Sequence, residues 1–209
     1  MNEIKSKILE ISRDLFIEQG YKQTTTRQII QKADVLNGSL YHFFENKEDI
    51  FKHIIVDVNE EVVELSKKFA AQYSDSLLLL AFPMALQLYV VERHPKLAEI
   101  FHEAYSAWPI MELFTNNCAE QLRKLSQDHN PDLTEQDYYL RALSLVGCVR
   151  NFIAESLFMG NIGYQEKLKV VLRMFQLFLN IPAFDARETV AKIERIINTE
   201  SIVIYGVKI

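Results

Sequence analysis

Breaks are rare in this chain, and they fall between stretches whose apolar residues recur at helical spacing. There are only 6 glycines and 5 prolines in 209 residues. His94-Pro95, Trp108-Pro109, Asn130-Pro131, Gly160-Asn161-Ile162-Gly163 and Ile181-Pro182 are the main interruptions. Proline has no amide to donate and glycine accepts the left-handed cap, so such segments end helices. Between the breaks, residues such as Ile4, Ile8, Ile11 and Leu15 line one helical face. An all-α chain is expected, with helices near residues 2–19, 26–33, 38–44, 47–73, 75–93 (kinked or staggered at Pro83), 95–104, 108–128, 134–159, 164–180 and 185–199. Thr25 followed by Gln28 is a capping-box pattern, and Asn46 with Asp49 caps the helix after residue 46. The end, Ser201 to Ile209, is β-branched and aromatic. It reads as extended chain docked on the body or as a strand pairing with a partner copy.

Bulk composition sets few limits. Apolar residues make up 49% and charged residues 24%, ordinary for a globular chain with a sizeable core. Asn2, Glu3, Lys5 and Lys7 make the N-terminus unlike a signal peptide. The apolar run Leu77–Val91 is interrupted by Pro83 and Gln87 and is too short to span a bilayer. A cytoplasmic location without a membrane partner is expected. Cys118 and Cys148 match no zinc spacing and read as reduced thiols. Glu99, His102 and Glu103 share a helical face, but a solvated charged face is the simpler reading, so no metal is expected. Glycine-rich phosphate loops, His-Glu-x-x-His and Gly-x-Ser-x-Gly are all missing, and neither enzyme nor cofactor is expected.

Residues 24–54 carry the most specific signal. They read as two short helices joined by a tight turn at Asp34-Val35-Leu36-Asn37, with a long helix beginning at Lys47. This arrangement offers one helix end to the DNA major groove. The net charge of −5 does not oppose that reading, because residues 1–53 hold eight basic and eight acidic side chains and the remainder holds the whole excess. A neutral head implies weak non-specific affinity and dependence on dimerisation.

The chain resembles the tetracycline-repressor-like (TetR) family of bacterial transcription regulators. The resemblance rests on Ile8-Leu9 through Leu15-Phe16, Gly20-Tyr21, Thr25-Thr26, Ile29-Ile30 with Ala33, and Val35. It continues through Gly38-Ser39-Leu40-Tyr41-His42-Phe43-Phe44 and Asn46-Lys47-Glu48-Asp49-Ile50-Phe51. It covers about the first 55 residues; beyond them only length and helical character match. It implies an all-α homodimer that binds palindromic double-stranded operator DNA and releases it on binding a small molecule. The DNA-contacting residues would be Thr25, Thr26, Asn37, Gly38, Ser39, Tyr41, His42 and Lys47, with Leu40 and Phe44 as the buried face. Two departures stand out. Asp34 replaces the usual glycine of the turn, and Leu36 replaces a small hydroxyl, leaving Asn37 to act as the helix cap.

The division implied is a helix-turn-helix domain at 1–46, a linking helix at 47–74 and a ligand-binding and dimerisation domain at 75–209. Large side chains of that domain read as plain core by periodicity alone. With the resemblance, Phe82, Leu88, Phe101, His102, Tyr105, Trp108, Met111 and Phe152 become candidate pocket residues, with Pro109 breaking the helix beside them. The segments 134–159 and 164–180 are apolar on wide faces, and a helix apolar on more than one face needs a second partner. Val146, Val149, Ile153, Leu168, Leu172 and Phe175 are the candidate dimer contacts, in a pairing that would set the recognition helices roughly 34–36 Å apart. The competing class is a helical scaffold or co-regulator with weak DNA binding and no effector, favoured by Leu36 and the neutral head.

Overall fold

The computed structural model of the protein describes residues 3–181 and 183–209. Asn2 and Pro182, expected at a helix start and a break, lie outside the described residues. The elements are α1 (Glu3–Gln19), α2 (Thr26–Ala33), α3 (Asn37–Phe43), α4 (Lys47–Gln72), α5 (Leu78–Arg93), α6 (Pro95–Ser106), α7 (Trp108–Ser126), α8 (Glu135–Phe158), α9 (Tyr164–Leu179) and α10 (Ala186–Thr199). A hairpin of β1 (Val203–Ile204) and β2 (Val207–Lys208) ends the chain. The fold is all-α, as the spacing of breaks implies.

Caps explain most of the boundaries. Thr25 opens α2 with a complete capping box through Gln28, and Thr134 opens α8 in the same way through Asp137. The Asn46 side chain accepts from the Asp49 amide at 2.8 Å and opens α4. Asp34 and Asn180 close α2 and α9 in the left-handed region, φ 51° and 46°, conformations these two residue types tolerate better than most. Asn37 does not serve as the cap of α3. It lies inside the helix, and Leu36 holds the cap position without a side-chain hydrogen bond.

Helix α5 is the centre of the body, packed against α4, α6, α8 and α9. It is therefore buried nearly all round, and it stays helical through Pro83 at the cost of one backbone hydrogen bond. Helices α7 and α8 pack along one another. The head, α1–α3, sits on the start of α4, and one continuous apolar core runs through head and body. Tyr205 and Gly206 make the hairpin turn, both at positive φ, with Val203 opposite Lys208 and Ile204 opposite Val207. The tail pairs with itself, and Ile202, Ile204 and Tyr205 are buried on the body.

The six candidate dimer contacts require correction. Val146, Val149, Ile153, Leu168, Leu172 and Phe175 are all buried within this one chain. They form the inner stripe of α8 and α9. The outward stripe holds Leu140 on α8, and Val170 and Leu177 on α9, the last 80% exposed. Both faces are apolar, so periodicity marks two stripes without saying which one meets the chain's own core.

Lys167 locks α8 to α9. It is fully buried, donating to the Phe152 carbonyl at 3.2 Å and to the Ser156 hydroxyl, and pairing with the Glu155 carboxylate. Glu155 also accepts from the Asn161 amide of the connecting loop at 3.0 Å. Because Glu155 keeps some solvent contact, Lys167→Ala is expected to lower unfolding stability by about 2–3 kcal/mol, below the cost of breaking a fully buried pair. Urea unfolding checks this, and a loss under about 0.5 kcal/mol would show that the ammonium contributes nothing.

Candidate functional site

The head is assembled around the loop that joins α1 to α2. Gly20 ends α1 at φ +89°, where a side chain would be strained. Thr24 is completely buried, and its hydroxyl donates to the Gly20 carbonyl at 2.9 Å with a longer contact to Leu15 at 3.3 Å. Lys47, first residue of α4, donates to the carbonyls of Tyr21 and Thr24, both at 2.9 Å. Its ammonium also lies 4.3 Å from the centre of the Tyr21 ring. Tyr21 packs against Phe16 and Phe51, centroids 5.3 and 4.5 Å away. Burial and the Glu48 carboxylate push its hydroxyl pKa up to about 12.

On this frame α3 is seated by Leu40 and Phe44, both buried. Its other side is bare. Leu36, Asn37, Gly38, Tyr41 and His42 are exposed, Ser39 is half-buried, and Leu36 is 79% exposed. The Tyr41 hydroxyl lies 3.5 Å from that of Thr26 at the start of α2, so the two helix starts present their polar groups together. Thr25, Thr26, Asn37, Gly38, Ser39, Tyr41 and His42 thus form one surface. Lys47 lies behind it, with two of its three N–H groups committed to loop carbonyls. Arg27, exposed on the first turn of α2, was not among the candidates. A lone arginine on a short helix gives no signal of its own.

Between head and body is a cleft of about 520 Å³ lined by Tyr21, Glu45, Asn46, Glu48, Asp49, Phe51, Lys52, Glu103, Ser106, Ala107, Pro109 and Ile110. Lys22 bridges it to Glu103 at 2.6 Å, and Lys96 of α6 donates to the Glu18 carbonyl at 2.6 Å. On the body are two smaller, partly open pockets, about 20 and 60 Å³, along α4, α5 and α7. Phe101 lines the first and Tyr105 the second.

The other pocket candidates lie elsewhere. Phe82 and Leu88 are close-packed core, Phe82 against Phe69 at 4.9 Å. Trp108 is 58% exposed. The chain does break before Pro109, but α7 restarts at once with the proline in its first turn, where no amide is needed. The gap this leaves therefore opens outward into the head–body cleft. His102 stands edge-on to Phe158 at 5.3 Å. Met111 is half-buried, and its carbonyl accepts from Thr115. Phe152 is half-buried beside Lys167. Cys118 and Cys148 are free thiols. Among the described residues no three His, Cys, Asp or Glu side chains gather to hold a metal, and no helix is long and apolar enough to cross a membrane.

Comparison with known proteins places this head among relatives. Residues 8–54 match the model of the family described as bacterial regulatory proteins, tetR family. Over 52 residues the chain is 40% identical to the HTH-type transcriptional regulator QacR of Staphylococcus aureus, covering 25% of this chain and 28% of that one. Over 72 residues it is 33% identical to the HTH-type transcriptional repressor KstR2 of Rhodococcus jostii, covering 34% and 35%. The match thus spans about a third or less of these curated relatives. The fold as a whole is shared with a TetR-family transcriptional regulator of Pectobacterium atrosepticum, with TM-score 0.63 at 16% identity over 88% of this chain and 97% of that chain. A putative TetR-family regulator of Syntrophomonas wolfei gives 0.58 at 23% identity over 87% and 97%.

Lys47→Met is expected to destabilise the protein by about 2 kcal/mol, since two charge-assisted hydrogen bonds to half-buried carbonyls are lost. Thermal or urea unfolding reads this out. Unchanged stability together with weakened DNA affinity would instead make Lys47 a phosphate contact.

Proposed function

We propose, from the match of residues 8–54 to the tetR family of bacterial regulatory proteins, that the chain is a ligand-responsive transcriptional repressor. It acts as a homodimer, with α3 of each copy in successive major grooves of a two-fold symmetric operator. The observation that carries this reading is the bare outer side of α3, held on a head whose loop carbonyls are clamped by Lys47. Asn37, Ser39, Tyr41 and His42 supply donors and acceptors for phosphates and base edges. Leu36 offers an apolar tip suited to a thymine methyl group.

The dimer contact is assigned to the outward stripe of α8 and α9, where Leu140, Val170 and Leu177 lie exposed. An isologous pairing covers this stripe with its own copy. Residues 1–46 form the DNA-binding unit, 47–74 the link and 75–209 the sensing and dimerising unit. An effector held in the body displaces α4 and changes the separation of the two heads, through unequal affinity for the two arrangements.

Footprinting on DNA flanking the protein's own gene tests the central claim. A two-fold symmetric protected site is expected, with log affinity falling as log salt rises. Tyr41→Ala or His42→Ala should each weaken binding about tenfold, a loss at the lower end of the range for single contacts. No protection at low salt by a folded dimer would favour the co-regulator reading. Leu177→Glu should give a folded monomer in sedimentation and abolish operator binding; a variant that stays dimeric would place the interface elsewhere.

A further inference from the structure

The two body pockets share a wall: Asn59, Gln87 and Phe114 line both. Among the described residues no charged side chain lines either one. Their polar groups are the amides of Asn59, Gln87, Asn117 and Gln121, the Tyr105 phenol and the Cys118 thiol. Burial pushes the pKa of Tyr105 upward and that of Cys118 to about 12, so both stay neutral near pH 7. An ion entering this mostly apolar lining would meet no counter-charge to offset the hydration it gives up. Four carboxylates, Glu45, Glu48, Asp49 and Glu103, line the head–body cleft instead.

One polar group in the pockets is already oriented. The Tyr105 hydroxyl donates to Gln87 Oε1. That bond takes one of the two lone pairs of the amide oxygen, fixes which end faces Tyr105 and leaves the two N–H donors for a guest. We infer that the effector is an uncharged, mainly apolar molecule carrying a carbonyl oxygen, held between α4, α5 and α7 with the Gln87 amide as donor. This rests on the reading of the body as an effector-binding unit. At about 20 and 60 Å³ the pockets are far smaller than ordinary ligand sites of several hundred Å³ (roughly 300 Å³ and up). The guest therefore widens the seam, and α4 is the wall that connects to the head.

A matched set of probes on the full chain tests this: methyl hexanoate, hexanoate and hexyltrimethylammonium, titrated by calorimetry. The ester should bind at least tenfold tighter than either ion. Gln87→Met should weaken the ester about tenfold, and Tyr105→Phe, which frees the amide to turn, should weaken it in the same direction. A melting curve confirms that each variant is folded, and the second serves if the first is not. An ion binding as tightly as the ester overturns the inference, and sensitivity of the cation to Glu48→Gln would locate it in the outer cleft. Ester binding unchanged in both Gln87→Met and Tyr105→Phe also overturns it, as does no binding by any probe. A retained operator footprint in that last case sinks the effector class alone and leaves the DNA-binding reading in place.

Discussion

Helix α4 ties the head to the body, packing on α1 at one end and along α5 beyond it. The first residue of α4, Lys47, holds the carbonyls of the head loop. Its middle, at Asn59, is a wall of both body pockets. Just past its end, Asp75 caps the Leu77 amide at 3.1 Å and pairs with Lys192 of α10. Asn59 and Lys47 are separated by roughly 18 Å along the axis, at 1.5 Å per residue. A helix of this length bends only gently unless a proline or an inserted group breaks its ladder, and α4 contains no proline. On the proposed mechanism, a displacement at Asn59 would reach the head without being absorbed on the way.

Charge is sorted by location, and the sorting has local causes. Glu48 and Asp49 occupy the first turn of α4, where carboxylates complement the positive end of the helix dipole. Asp49 also accepts from the Glu45 amide at 3.1 Å. The acidity of the outer cleft thus has a structural explanation in capping, and it needs no ligand to account for it. The side chains that line the two body pockets are uncharged. Gln87 is half-buried there, its amide oxygen accepting from the Tyr105 hydroxyl.

Much of this was legible in the sequence because it is written locally. Thr25 with Gln28, and Asn46 with Asp49, are capping patterns within four residues, and the structure uses both. Gly20, Pro95 and Gly160-Asn161-Ile162-Gly163 fall at element ends for reasons of backbone geometry alone. What was not legible depends on distant partners. Lys47 finds its carbonyls 26 and 23 residues earlier in the chain, so a lysine at a helix start suggested an anion partner. Asn37 looked like a cap by residue type, yet the helix begins one residue sooner. Trp108 looked like a pocket residue because Pro109 breaks the chain. Which side of the break opens is decided by α6 and the head, which local pattern does not describe.

The two-sided helices α8 and α9 show where the limit of pattern reading lies. Lys167 sits in the inward stripe, next to Leu168, and is buried because Phe152, Glu155 and Ser156 satisfy its ammonium. A charged residue on a stripe ordinarily marks the solvent side, and here it marks the inside. Leu177, by contrast, is apolar and faces out. The hydrophobic effect rewards burial of either stripe equally, since it is non-directional. Once inside, the Lys167 ammonium loses water, and Phe152, Ser156 and Glu155 of α8 replace that hydration. A single isolated leucine at the surface would need no explanation, but Leu140, Val170 and Leu177 fall on adjoining helices locked together by the same lysine.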